Sequence, residues 1–285
     1  MDWHHRAFRT SGIYFRYINL TYLSGNRFME YQQLPIQYTV VSALKLVQKN
    51  WLTLMLQSSP FLVVNLYFTI GVVDLDDPQQ LFTLTNVIVY VLYTVTAAMA
   101  TVRLHRLVLL GEKSCRLSTI FYLSSRELRF IGWWAALGAM LFAILIIPMF
   151  IIGSLANIVT MPMWLIQLCT YAAMLPIGWF ISRWSLVLPA TALDHQPRGL
   201  SVAWQMSKPH AKALFVLIGV IPMLINALLQ PLFNLHFLPL TLLLSLVWLV
   251  VCAVEICVLS LSFQWIVQRE AITQNQELRI PEFTA

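Results

Sequence analysis

Glu255 is the one charged residue in the apolar run from Leu240 to Ile266, within the stretch VCAVEICVL (Val251–Leu259). A carboxylate at the centre of a membrane span costs about 2.5–3.5 kcal/mol on insertion scales. A run this long absorbs that cost, so the surroundings of Glu255 decide its role. Ser245, Trp248, Cys252, Glu255, Leu259 and Ser262 recur at spacings of three and four, which places them on one seam of a helix. The seam is expected to face other helices, because polar groups in hydrocarbon need partners. Two chemistries follow. Glu255 is a proton- or cation-binding carboxylate on a pathway, or a protonated or paired side chain that hydrogen-bonds a neighbouring helix. Asn65, Asn226 and the backbone carbonyls freed by Pro60 and Pro222 are its candidate partners.

A second set of residues is basic. Arg103, His105 and Arg106 follow one apolar run, Arg126 and Arg129 precede the next, and Arg183 ends another. The plain reading has Arg103 and Arg183 snorkel to lipid headgroups. The sharper one makes Arg103, His105, Arg106, Arg126 and Arg129, with Arg183, a cradle for anionic headgroups on the inner leaflet.

Other chemistries lack their residues. His4, His5, His105, His195, His210 and His236 are dispersed, and HExxH, GxSxG and GxxxxGK[ST] do not occur. Cys115, Cys169, Cys252 and Cys257 form no CxxC pair, so neither a zinc site nor a disulfide framework is expected. Asp74, Asp76 and Asp77 lack the spacing and distal Glu of a calcium loop and read as a solvated turn. No metal or cofactor is expected, and a catalytic role has little support. A lipid-modifying enzyme would need a second acid or His facing Glu112 or Glu127.

These side chains must be carried by membrane spans. The 285 residues are 59% hydrophobic and 11% charged, with a mean hydropathy of +0.73. A soluble domain carries about 25% charged residues. So much apolar surface must face lipid, and ten Trp and ten Tyr suit the membrane–water interface. A span needs about 20 predominantly apolar residues. Six segments qualify: Trp51–Val73, Leu81–Val102, Phe130–Ser154, Met163–Ile181, Ala213–Asn234 and Leu240–Ile266. The breaks DLDDPQQ (Asp74–Gln80), LANIVTMP (Leu155–Pro162) and LHFLP (Leu235–Pro239) contain no Lys or Arg, so all 18 lie on the other side. Basic residues stay cytoplasmic during insertion, so both termini are expected inside. The net charge of +6 then reflects topology and anionic lipid, not nucleic acid. The N-terminal stretch lacks the apolar core and cleavage site of a signal peptide. Residues 1–37 read as a cytoplasmic N-terminal segment, 38–267 as a six-helix membrane domain, and 268–285 as a cytoplasmic tail.

The inner segments carry helical periodicity. Val40, Leu44, Val47 and Trp51 share a face, as do Leu117, Ile120, Phe121, Ser124 and Leu128, and more weakly Leu200, Ala203, Trp204 and Ser207. Apolar faces opposite basic ones suit interfacial helices preceding the odd-numbered spans. The unit of interfacial helix, span, short loop and span would then occur three times. Pro60 with Asn65 and Pro222 with Asn226 support that repeat, whereas Pro148 breaks it. The small residues of TAAMAT (Thr96–Thr101) and WAALGAM (Trp134–Met140) suit close helix packing.

TVRLHRLVLLGEKSCRLSTIFYLSSRELRF and RWSLVLPATALDHQPRGLSVAWQMSK resemble an uncharacterised family of six-span bacterial inner-membrane proteins. That family is distantly similar to the membrane region attached to some glycerophosphodiester phosphodiesterases. The resemblance covers roughly residues 100 to 215 and rests on loose motifs: Arg, an apolar run, Gly-Glu or Pro-Ala, then an amphipathic helix. It implies a bacterial inner membrane and a six-helix fold. It does not carry over catalysis, because the acidic and histidine ligands of the phosphodiesterase barrel have no counterpart here.

The expectation is therefore an all-α, six-span inner-membrane protein that organises lipid or a partner complex without catalysis. Anionic inner-leaflet lipid, a membrane-protein partner or a second copy would be its partners. The alternative is a secondary transporter or channel for a small solute or ion, with Glu255 as its coupling carboxylate.

Overall fold

A computed structural model describes residues 33–69, 83–112, 122–159, 161–233, 235 and 237–277. Among these residues every regular element is helical. The acidic turn at Asp74–Asp77, Cys115, the Leu117–Phe121 part of the second amphipathic face, His4, His5, His236 and both terminal extremes lie outside them.

The chain enters through α1 (Ile36–Lys49), which ends where the Asn50 amide donates to the Leu46 carbonyl at 3.0 Å. The next apolar run is two helices, α2 (Trp51–Gln57) and α3 (Ser59–Thr69), broken at Ser58 just ahead of Pro60. Helix α4 (Leu84–Leu110) starts at Thr83, whose hydroxyl oxygen accepts from the Asn86 N–H, and stops at Gly111 with φ 81°. That left-handed turn suits glycine, which has no Cβ to clash. Helix α5 (Ser125–Ile158) opens on a capping box in which Ser124 and Glu127 satisfy each other's end of the helix. It is followed by α6 (Met163–Trp184), the short α7 (Val187–Ala192) and α8 (Leu200–Ser207). A 3₁₀ turn leads into α9 (Ala211–Leu214), a π-helical stretch over Phe215–Val220 and α10 (Ile221–Phe233). In that stretch the Ile221 N–H reaches back five residues to Val216 O. Pro222, next in line, has no N–H to give. Helix α11 (Leu238–Glu277) closes the fold and packs against α1, α4, α7 and α10.

Five helical stretches are long and apolar enough to cross a membrane: Leu84–Leu110, Ser125–Ile158, Met163–Ala192, Leu200–Phe233 and Pro239–Thr273. They contain the expected third, fourth and sixth spans in full, and the second and fifth from Leu84 and up to Phe233, and all five run past the expected bounds on at least one side.

The dry core occupies one end of the bundle. Ala97–Ala100 and Leu107–Leu109 of α4, Leu186–Ala192 around α7, and Cys257–Val267 of α11 are buried, with Phe130 and Leu214 between them. The small residues of TAAMAT allow this approach. The far half of α5 turns large apolar side chains outward, as in Phe142, Phe150 and Ile158, which are 68%, 75% and 79% exposed. Apolar exposure on that scale fits hydrocarbon, not water. The second small-residue stretch does not act as anticipated. A Cβ added at Gly138 would meet nothing within 4 Å, and the close crossing lies instead between Gly178 of α6 and Gly219 of the π stretch.

Candidate functional site: a mainly apolar cavity and a basic cluster

A cavity of about 640 Å³ opens between α2, α3, α4, the π stretch and α11. It lies where the dry end of the bundle gives way to the lipid-facing halves, and its walls are mainly apolar and aromatic. Leu54, Phe61, Ala97, Leu217, Trp248 and Ile256 are representative. Side chains of alternating size leave the space. Ala97, Ala100 and Ala253 recede on α4 and α11, and the break at Ser58 displaces α3 from the line of α2.

Four of the sequence-selected residues meet here: Glu255, Cys252 and Asn65 from the polar set, and His105 from the basic set. Ser245, Trp248 and Leu259 of the α11 seam join them, so most of that seam faces one cavity. Ser262 does not. It lies in the buried end of α11, and its Oγ has no hydrogen-bond partner. Asn226 is also elsewhere, lining a separate space of about 320 Å³ with Gln230 and Phe233, which Trp248 borders from the other side. Ser58, Tyr93, Thr94 and Thr101 complete the polar wall and were not singled out as site residues from sequence. Their signal was present, since Tyr93, Ala97, Thr101 and His105 recur every four residues along α4. It was hidden because the apolar run ends at Val102, short of His105.

His105 is fully buried, and its hydrogen bonds fix its tautomer. Its Nδ1 lies 2.7 Å from Ser260 Oγ. The Ser260 hydroxyl already donates to Ile256 O at 2.8 Å, so its oxygen must accept and Nδ1 must carry the ring proton. Nε2 is then a bare lone pair, buried and without a hydrogen-bond partner. The Oε1 of Glu255 is likewise buried without a partner. The hydroxyls of Thr94, Thr101 and Ser245 donate to the carbonyls of Tyr90, Ala97 and Thr241 on their own helices, leaving only oxygen lone pairs for other contacts.

The basic residues separate into distinct places. Arg126 Nε donates to Asp194 Oδ2 at 2.8 Å, Arg129 donates to the other carboxylate oxygen, and Arg198 approaches it at 3.5 Å. Arg106 reaches the neighbouring Ala192 carbonyl at 3.3 Å. Asp194 takes a left-handed backbone, φ 56°, which aspartate tolerates better than most residues. Burial alone would raise its carboxyl, but the Arg126 hydrogen bond and the charges of Arg126, Arg129 and Arg198 hold it below the ordinary range. Three guanidiniums face one carboxylate, so the cluster keeps an excess of positive charge. Asp194, its organising residue, was quoted in sequence only as part of a motif.

Arg183 stands apart and does not reach outward. Its Nε donates to Ser207 Oγ at 3.0 Å, its Nη2 to Trp204 O at 2.6 Å, and the guanidinium lies 3.3 Å from the centre of the Trp204 ring. Arg103 is buried within α4 at 7% exposure. Beside the basic cluster, burial lowers the pKa of His195, whose ring meets Phe263 edge-on. Glu127 is committed to the cap of α5 through the Ser124 N–H at 2.9 Å. Among the described residues no group of three His, Cys, Asp or Glu could hold a metal ion, and Cys169, Cys252 and Cys257 are free.

Comparison with protein-family models, with curated proteins and with solved structures finds no match.

Proposed function

We propose that the chain crosses a bacterial inner membrane six times with both termini in the cytoplasm, and that it holds a lipid-like amphiphile without catalysis. In this reading α2 and α3 begin the first crossing. The helix pairs then follow the threefold pattern of the sequence. The observation that carries the reading is the cavity of about 640 Å³, within the roughly 300–1,000 Å³ typical of ligand pockets. Its apolar walls border the lipid-facing half of the bundle, so a chain can enter from the bilayer. Leu44 of α1 and Trp51 at the start of α2 are about half exposed, which suits a face there turned to lipid. The excess charge around Asp194 would meet anionic headgroups at the inner leaflet, helping to organise lipid or a partner complex there.

The test uses 12-bromododecanol, whose bromine quenches indole fluorescence on contact, with protein in nanodiscs. A saturable quenching component that Trp248→Phe reduces would support the reading. Quenching that rises only with bulk partitioning, identical in the variant, would overturn it.

A transporter or channel is the second reading, favoured by Glu255 itself, which lines the cavity and whose buried Oε1 has no hydrogen-bond partner. It requires proteoliposomes with a trapped pH-sensitive dye to show a proton flux that Glu255→Gln abolishes. Equal traces from the two proteins would leave Glu255 structural.

A further inference from the structure

From the hydrogen-bond inventory of the cavity we infer that it binds amphiphiles bearing a primary ammonium head, with the head at Glu255 and the alkyl chain along the apolar walls. The inference rests on the reading that the cavity admits an alkyl chain, and adds the chemistry of its head. His105 Nε2 is a buried lone pair because Ser260 has fixed the ring proton on Nδ1. The Glu255 Oε1 is buried and has no donor. Thr94 and Thr101 have each given their proton to a carbonyl of their own helix. These four residues therefore present acceptors. Potential donors on the same wall are the Ser58 hydroxyl, the Cys252 thiol, Asn65, Tyr93 and the indoles of Trp51, Trp134 and Trp248, all of them neutral, so none supplies a counter-charge for Glu255. Buried acceptors need donors, and an unmet one carries its full desolvation cost.

The charge balance points the same way. Among the residues lining the cavity there is one carboxylate and no Lys or Arg, so an anionic head would meet repulsion without compensation. A bare metal ion fits poorly, since the walls are hydrocarbon and a three-ligand group is absent among the described residues. A primary ammonium supplies a positive charge and three N–H donors in one group. Glu255 takes the charge-assisted bond. His105 also belongs to the lining, but its ring is 0% exposed, so its Nε2 lies behind the cavity surface and the head rests on Glu255.

Binding to protein in nanodiscs is measured by tryptophan fluorescence for dodecylamine, dodecyltrimethylammonium and dodecanol. The three share a chain and differ in head: charge with donors, charge without donors, and one donor without charge. Dodecylamine is expected to bind about tenfold or more tighter than either of the others. Glu255→Gln should remove that advantage while leaving dodecanol binding unchanged. Lysophosphatidylethanolamine, which also carries a primary ammonium, extends the series. Tighter binding than dodecylamine would name a lipid head as the natural source, and weaker binding a free amine. Equal affinities for all three dodecyl probes would overturn the ammonium inference and leave the lipid-holding reading intact. Preference for dodecyltrimethylammonium would also overturn it, assigning the site to the aromatic faces of Trp51, Trp134 and Trp248. Failure of every probe to bind saturably would instead refute the reading beneath it. The comparison among heads on the unaltered protein stands even if the variant does not fold.

Discussion

Ser260→Ala and Ser262→Ala delete the same atom from the same helix, at residues that are both 0% exposed, yet their effects should differ in sign. At Ser260 the change removes the acceptor for the His105 Nδ1–H, a 2.7 Å bond tying α11 to α4. The donor is left buried, and the gap left by one hydroxyl oxygen is too small for a replacement water. Leaving a buried donor unpaired costs about 1–3 kcal/mol, and a fully buried site belongs in the upper part of that range, near 2 kcal/mol. At Ser262 the hydroxyl has no hydrogen-bond partner, so its burial is already uncompensated. Removing it should be neutral or stabilising by up to about 1 kcal/mol. The small gain in helix propensity on going from Ser to Ala is common to both and cancels. Denaturant unfolding of the purified protein in a fixed lipid mixture, followed by tryptophan fluorescence, reads the difference directly. A separation of about 2–3 kcal/mol between the variants is expected. Equal shifts of the same sign would refute the assignment of donors and acceptors around His105, and with it the bare Nε2.

Asp194→Asn should destabilise the junction of α5 and α7 by about 1–2 kcal/mol, since each partly exposed pair contributes about 0.2–1 kcal/mol and three cations lose their counter-charge. Because the folded carboxyl is held below its ordinary value, this contribution is fully present above the unfolded pKa near 3.9 and fades as pH falls through the folded one. Wild type and variant unfolding curves should therefore converge in acid and separate at neutral pH. Arg183→Lys keeps the charge but loses the planar fork that serves Ser207 and Trp204 together; a loss of about 1–3 kcal/mol and a red-shifted Trp204 emission are expected. Gly219→Ala places a Cβ 3.0 Å from the Phe215 ring and 3.3 Å from the Gly178 carbonyl, and should cost about 1–3 kcal/mol. Gly138→Ala meets nothing within 4 Å and should instead stabilise by up to about 1 kcal/mol, both read in the same unfolding assay.

Much of the helical framework was legible because the bilayer imposes a length and a polarity on any crossing segment. Runs such as Phe130–Ser154 satisfy that demand locally, and α5 contains all of it. The seam of α11 was legible for a related reason: Ser245, Cys252 and Glu255 cannot face lipid, so periodicity alone marks them as one inward face. Periodicity could not distinguish a cavity from a packed wall along that seam. Glu255 meets space because Ala97 and Ala100 of α4 recede opposite it, whereas Ser262, two turns on, is enclosed by the dry end of the bundle. Likewise Asn65 and Asn226 follow similar Pro–Asn stretches, yet only Asn65 reaches the larger cavity.

By itself, the amino-acid sequence determined that this chain is helical and apolar, which stretches are long and apolar enough to cross a membrane, and which face of each is intolerant of lipid. Those properties depend on residues within a few turns of one another. Tertiary structure alone decided that Arg126 and Arg129 converge on Asp194, that Arg183 turns to Trp204, and that the tautomer of His105 is set by a serine 155 residues away. Those outcomes depend on how the volumes and lone pairs of distant segments meet, and no local spacing encodes that.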